Sequence, residues 1–241
     1  MAATAPLKFL SVSPIGKHTA TVIFIHGLGD TGHGWKPVAD MFRNEPGLRH
    51  IKWILPHSPT RSVKANMGIE MPSWFDIYSF GFETDEDESG MLESAGRINQ
   101  LISAEVESGT DPSRILLGGF SQGAAMSLLT GLTGDRKLAG IAALSGWLPM
   151  RHKFKTIASP HAAGTPIFWG HGSNDPLVRI QISKESIDIL TNSMGLPRLT
   201  TPDEFRGLYY KVYGGMGHTT NEEELEDLKS YIKKVLPEVA S

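Results

Sequence analysis

Hydrophobic residues along this chain gather in short runs, and each run is stopped by glycine, proline or histidine. "TATVIFIHG" (19–27), "HIKWILPH" (50–57), "SRILLGGFS" (113–121), "LAGIAALSG" (138–146), "TPIFWGHG" (165–172) and "GLYYKVYGG" (207–215) read as strands. Most are continuous rather than alternating, which predicts strands covered by helices on both faces. Between them the period changes. Met91, Ala95, Ile98 and Ile102 recur three or four apart, and so do Leu225, Leu228, Ile232 and Val235. Asn221, with Glu224 three residues on, is placed to cap the last of these helices. Strands alternating with helices predict an α/β protein with a mostly parallel, doubly wound central sheet flanked by helices on both faces.

One stretch, about 58–90, fits neither period and is expected to be a long, lid-like irregular loop. It holds "MPSWFDIYSFGFETDEDESG", in which Trp74, Phe75, Tyr78 and Phe80 precede an acidic run from Glu83 to Glu88. The acidic run is expected to be solvated surface. The aromatics are harder to place there, because four exposed rings would be a liability. Loops of this length inside a domain usually serve function. No repeat or low-complexity segment divides the chain, so its 241 residues are expected to form a single domain, 1–241, with a core of about 20–236.

Composition narrows the chemistry. A formal net charge of −3 gives no basis for binding nucleic acid. Cysteine is absent, which removes disulfides, thiolate metal sites, a cysteine nucleophile and S-acylation of the chain itself. The start, "MAATAPLKFLSV", has neither the basic end and apolar run of a signal peptide nor a glycine after Met1 for myristoylation. No apolar stretch approaches the ~18 residues that span a bilayer. The expectation is a soluble, intracellular protein of the cytoplasm or nucleus.

The run 113–119 leads straight into Gly119-Phe120-Ser121-Gln122-Gly123, and "AAMSLLTGL" follows as a helix. Strand, G-x-S-x-G and helix together describe a sharp turn that lifts a serine hydroxyl above a sheet, with small residues on either side so that strand and helix can close. The plain alternative is a helix-capping serine. A serine nucleophile needs a base and an orienting acid, in the order serine, acid, histidine on later strand-end loops. "HGSNDPLV" offers Asp175 and "GGMGHTT" offers His218. His171 precedes Asp175 and reads as loop-orienting; His26 precedes the serine. Asp188, in "SIDIL", reads as helix surface, and Asp203, in "TPDEF", as a turn or helix start.

Acyl transfer also needs two oxyanion donors. The backbone N–H of Gln122 is one by position, and Leu28 in "FIHGLGDTGHGW" (24–35) is the expected second. Read alone, that glycine-rich loop is equally a flexible turn before a helix. A phosphate-binding reading is expected to fail for want of both a G-x-G-x-x-G and a G-K-[ST] signature.

"HGLGDTGHGW", "MPSWFDI", "EDESG", "GGFSQGAAMSL", "LSGWLP", "HGSNDPLV" and "GMGH", in this order, resemble the acyl-protein thioesterase and small carboxylesterase family of α/β-hydrolases over about residues 20–236. The resemblance implies an α/β-hydrolase fold and hydrolysis of the thioester between a long fatty acyl chain and a protein cysteine. It also implies activity on lysophospholipids and small esters. By position it makes Ser121 the nucleophile, Asp175 the acid, His218 the base, and Leu28 and Gln122 the oxyanion donors. It further implies that the loop bearing Trp74 covers an apolar acyl channel, to which Trp147 and Leu177 contribute. Ile77 and Tyr78, among aromatics in a polar loop, are expected at the channel entrance.

Two departures stand out: Ala124 replaces a glycine common in relatives, and the N-terminal cysteine of lipid-anchored relatives is absent. Neither metal nor organic cofactor is required by this chemistry. S-acylated proteins are the expected partners, reached by transient membrane contact through 67–82, where Phe80 and Phe82 lie. Oligomeric state stays open. A carboxylesterase or lysophospholipase acting on oxyesters would use the same residues. A non-catalytic hydrolase-fold receptor would be expected to lack a triad member. A dienelactone-hydrolase-like enzyme needs the cysteine that is missing.

Overall fold

In the computed structural model, which describes residues 6–79, 85–201 and 206–239, all six apolar runs become strands of one sheet. They are β2 (Ala20–Ile25), β3 (Ile51–Pro56), β6 (Ile115–Phe120), β7 (Gly140–Leu144), β8 (Ile167–Gly172) and β10 (Leu208–Tyr213). Two short edge strands complete it: β1 (Phe9–Val12), antiparallel to β3, and β9 (Arg198–Leu199), beside β10. The strand order is β1-β3-β2-β6-β7-β8-β10-β9, and every pairing but β1–β3 is parallel. β1 and β9 escape the sequence pattern because four and two residues carry too little period to register.

Alternate residues of each central strand enter opposite cores, as a pleat requires. Ile23, Ile25, Ile115, Leu117, Ile141 and Trp169 point to one side. There they meet α2 (Glu88–Glu107), α3 (Gln122–Thr133) and α5 (Ile180–Asp188). Val22, Phe24, Leu116, Ala142 and Phe168 point to the other, against α1 (Gly32–Arg43) and α6 (Glu222–Val235). Burial on both faces explains why the runs are continuous. Asn221 caps α6 as its spacing predicts, its side chain accepting from the Glu224 N–H at 2.8 Å. A four-residue helix, α4 (Phe154–Ile157), lies between β7 and β8. This is the α/β-hydrolase arrangement, in a single domain.

The segment 58–90 is not a wholly irregular loop. It opens with an antiparallel hairpin, β4 (Thr60–Val63) and β5 (Ile69–Pro72), and ends in the first turn of α2. Of the described acidic residues Asp85 is exposed as expected, but Glu86, Asp87 and Glu88 are not simply solvated. Asp87 caps α2 by accepting from Gly90 N–H at 3.0 Å, and it also accepts from Asp76 N–H at 2.9 Å. Glu86 accepts from Met150 N–H at 2.6 Å, and Glu88 pairs with Lys153 and His152. Burial outweighs these contacts at Glu86 and raises its carboxyl above the ordinary glutamate value; at Glu88 the Lys153 contact lowers it. Trp74 and Phe75 are buried and Tyr78 is half-buried beneath the Lys64 ammonium, 4.0 Å from its ring centre. Phe80, Phe82, Glu83 and Asp203 lie outside the described residues.

Candidate active site

Ser121 stands between the end of β6 and the start of α3 with φ 55° and ψ −119°, a conformation L-residues rarely adopt. The glycines around it are demanded by contact. A Cβ at 119 would lie 2.4 Å from the carbonyl carbon of Gly123, and one at 123 would lie 2.1 Å from the carbonyl oxygen of Ile25. Strand, turn and helix therefore close only with hydrogen at both positions. Ala124 is accommodated by a complementary gap, since a Cβ at 146 would sit 2.5 Å from the Ala124 methyl and that residue is glycine.

Asp175 follows β8 and His218 follows β10, so three parallel strands deliver three side chains to one end of the sheet. His218 Nε2 lies 2.9 Å from Ser121 Oγ, and its Nδ1 lies 2.7 Å from Asp175 Oδ2. A carboxylate only accepts, so Nδ1 carries the proton and Nε2 is free to accept from the serine hydroxyl. Asp175 Oδ1 takes two further bonds, from Leu177 and Val178 N–H, each at 2.9 Å. Burial alone would raise the Asp175 carboxyl, but the His218 contact and these two amides outweigh it and hold the group below the ordinary aspartate value. The His218 ring packs on Phe120, with centroids 4.9 Å apart.

The other histidines of the strand-end loops hold backbone. His171, buried, donates from Nε2 to the Val178 carbonyl at 2.7 Å. It thereby steadies the turn that grips Asp175. His26 donates from Nδ1 to the Gly27 carbonyl at 2.7 Å and accepts from Ser58 N–H at 3.1 Å. Burial lowers both imidazoles from the ordinary value, keeping them neutral. Asp188 is exposed at the end of α5.

The loop 26–31 passes close beside the serine, near enough that a Cβ at Gly27 would sit 3.3 Å from that of Ser121. Neither the Leu28 N–H nor the Gln122 N–H is taken by another acceptor among the described residues. Residues 27–32 do carry the spacing G-x-G-x-x-G before a helix. The N-terminus of α1 is already occupied, however, which removes a phosphate site. Thr31 N–H goes to Asp30, Gly32 N–H to His57 and His33 N–H to Thr31 Oγ.

A cavity of about 400 Å³ opens over the serine. Ile77, Trp147 and Leu177 form its apolar wall with Phe120 and Val178, and Leu28, Ser121 and His218 its reactive side. Asp30 and Asn66 add polar groups. Trp74 does not line it, contrary to expectation. It is fully buried behind the wall, and its indole N–H donates to the His26 carbonyl at 2.9 Å. Tyr78 also misses it and faces a neighbouring pocket of about 30 Å³ that shares Ile77 and Trp147 as a partition. Phe120, absent from the expected wall, lines this space and also packs toward Trp35, with ring centres 6.0 Å apart.

The phospholipase/carboxylesterase family model matches residues 8–236. The chain is 48% identical over 235 residues to acyl-protein thioesterase 1 of Cryptococcus neoformans, covering 95% of this chain and 98% of that one. The crystal structure of Zea mays acyl-protein thioesterase 2 superimposes with a TM-score of 0.77 at 31% identity, over 95% and 99% of the two chains. That of Arabidopsis thaliana SOBER1 does so with a TM-score of 0.81 at 30% identity, over 90% and 99%.

Proposed function

The chain belongs to the phospholipase/carboxylesterase family of α/β-hydrolases, and on that premise we propose that it is a serine hydrolase removing long-chain fatty acyl groups from S-acylated protein cysteines. The observation that carries this is the unbroken relay Asp175–His218–Ser121, set on a strained turn beside an apolar-walled cavity. His218 Nε2 takes the Ser121 proton as Oγ attacks the thioester carbonyl, while Asp175 holds the imidazole in the required tautomer and stabilises its cationic form. The developing oxyanion is received by the Leu28 and Gln122 N–H groups. The thiol, with a pKa of ~8.5, leaves readily and takes the proton from His218. Water then attacks the acyl-serine with His218 as base and releases the fatty acid. Each step draws only on groups of this chain and water.

Lysophospholipids and small oxyesters would meet the same groups. They differ in a leaving alcohol that depends more heavily on proton donation from His218. Substrates are reached from the cytoplasm by transient contact of the 67–82 segment with a membrane surface. Support for this is the exposure of Met67 (90%) and Ile69 (54%) on the hairpin, near Asn66 at the cavity. No helix among the described residues is long and apolar enough to cross a membrane.

Single-turnover hydrolysis of a palmitoylated peptide thioester tests the reading, with wild type, Ser121→Ala and a short oxyester control. The expected result is rapid thioester cleavage by wild type and a loss of about 10⁴-fold or more in Ser121→Ala. Cleavage of the short ester alone would leave a general esterase. Full activity in the variant would remove Ser121 from the mechanism.

A further inference from the structure

Gln122 enters the site twice. Its main-chain N–H faces the oxyanion position, while its side chain runs the other way, fully buried, to a segment that has no strand partner. There Oε1 accepts from Trp74 N–H at 2.9 Å, and Nε2 donates to the Phe75 carbonyl at 2.8 Å and to Ser73 Oγ at 3.0 Å. A peptide N–H can only donate and a carbonyl can only accept, so the amide's orientation is fixed. Ser73 Oγ closes the loop by donating to the same Phe75 carbonyl at 2.6 Å. One side-chain amide thus supplies the donor and acceptor that a neighbouring strand would otherwise give to residues 74 and 75.

The opposite flank of this segment is held by the other oxyanion loop. Gly29 N–H donates to the Pro72 carbonyl at 2.8 Å, and Trp74 Nε1 donates to the His26 carbonyl. Leu28 lies between those two anchors. Both stretches that carry an oxyanion donor therefore clasp residues 72–75, and Ile77, two residues on, is the cavity wall.

Taking the hydrolase reading above as its footing, we propose that the Gln122 side chain is a positioning residue that fixes the Ile77 wall against the oxyanion hole, so that chain-length preference depends on an amide that touches no substrate. Other buried polar side chains of α3 bond within their own helix or to none of these segments, as Ser127 does with the Gly123 carbonyl at 2.9 Å, whereas Gln122 reaches out of its helix to residues 73–75. The buried amide ties two working surfaces into one geometry. Catalysis tolerates little error in such geometry; a displacement of about 1 Å can cost about 10²-fold.

The test is kcat and KM for acyl chains from acetyl to palmitoyl on one common leaving group, in wild type, Gln122→Met and Gln122→Glu. Methionine keeps the length without the hydrogen bonds; glutamate keeps the acceptor and loses the donor. The palmitoyl-to-acetyl ratio of kcat/KM is expected to fall at least tenfold in Gln122→Met, through a raised KM for long chains, beyond any loss of kcat common to all lengths. Gln122→Glu is expected between that and wild type. Hydrogen exchange at the Trp74 amide is expected to quicken at least tenfold in Gln122→Met. An equal loss at every chain length, or unchanged exchange at Trp74, would overturn the proposal. Should Gln122→Met not fold, Ser73→Ala removes one member of the network and is expected to move the ratio two- to threefold in the same direction; no movement would overturn it. A wild type indifferent to chain length overturns the acyl reading and the proposal with it. A selective wild type whose selectivity survives in Gln122→Met overturns the proposal alone.

Discussion

Across one cavity, Ser121 and Ile77 are held by different kinds of force. Around Ser121 the constraint is contact between main-chain atoms: Gly119 meets Gly123, and Gly123 meets the Ile25 carbonyl, with no room for a methyl group. Around Ile77 the constraint is a set of hydrogen bonds from separate parts of the chain. Gln122 reaches residues 73–75, Asp87 holds Asp76 N–H, and Ala65 N–H donates to the Ile77 carbonyl at 2.8 Å. The turn at Ser121 is specified by exclusion and has one available shape. The cavity wall is specified by polar tethers, each of which can be cut singly.

The sharpest way to break this contrast is Gly123→Ala. Its methyl would meet the Ile25 carbonyl oxygen at 2.1 Å and the His26 oxygen at 2.6 Å, both main-chain atoms that cannot swing aside. The expected outcome is a kcat/KM lowered by about 10²-fold or more and a stability loss of about 1–3 kcal/mol. Gly96→Ala is the control, on the exposed side of α2 with nothing within 4 Å. It is expected to leave activity alone and to stabilise by up to about 1 kcal/mol. Activity and thermal melts of the two variants check both statements. A fully active Gly123→Ala would show that the turn is not specified by exclusion.

The same division explains what was legible in the sequence. Steric exclusion acts over five adjacent residues, so the glycines around Ser121 announce the turn, and the order of later strand ends then points to Asp175 and His218. The tethers of the cavity wall leave no local mark. Glu86 resembles its acidic neighbours until its partner, Met150, arrives from 64 residues away. Trp74 and Tyr78 share with Ile77 the look of a greasy loop, but side-chain direction separates them: Ile77 faces the cavity, Trp74 the His26 carbonyl and Tyr78 the Lys64 ammonium. The hairpin β4–β5 leaves no signal in the sequence because four-residue strands with mixed exposure carry no clear alternation.

A second variant sharpens the comparison from the wall side. Ile77 is 8% exposed and lines the cavity. Burying an isoleucine side chain is worth about 1.5–3 kcal/mol, so Ile77→Asp is expected to shift preference from long toward short chains by about tenfold or more. Reaction with a small serine-directed fluorophosphonate should change far less, because the relay is anchored elsewhere. Initial rates on palmitoyl and acetyl substrates give the first quantity, and labelling kinetics give the second. An unchanged chain-length profile would remove Ile77 from the wall.

The smallest expected effects concern two carboxylates, one in each region, that should respond to pH in opposite senses. Asp175 is held below the ordinary aspartate value because the His218 contact and the Leu177 and Val178 amides outweigh its burial. Its stabilising contribution is complete above that ordinary value and is lost as pH falls through it toward the folded value. At Glu86 burial wins over the Met150 amide and the nearby Arg151, so the folded value lies above the ordinary glutamate value. Its contribution is complete below that ordinary value and is lost as pH rises through it toward the folded value. The limiting slope for one proton is about 1.4 kcal/mol per pH unit, and each group supplies only part of it. Melting temperatures of wild type, Asp175→Asn and Glu86→Gln across the acid and neutral range check this. The gap between wild type and Asp175→Asn should widen in favour of wild type as pH rises, whereas for Glu86→Gln it should move against wild type. Curves parallel to wild type would mean that folding shifts neither carboxyl, and the opposite electrostatic settings of relay and wall would be lost.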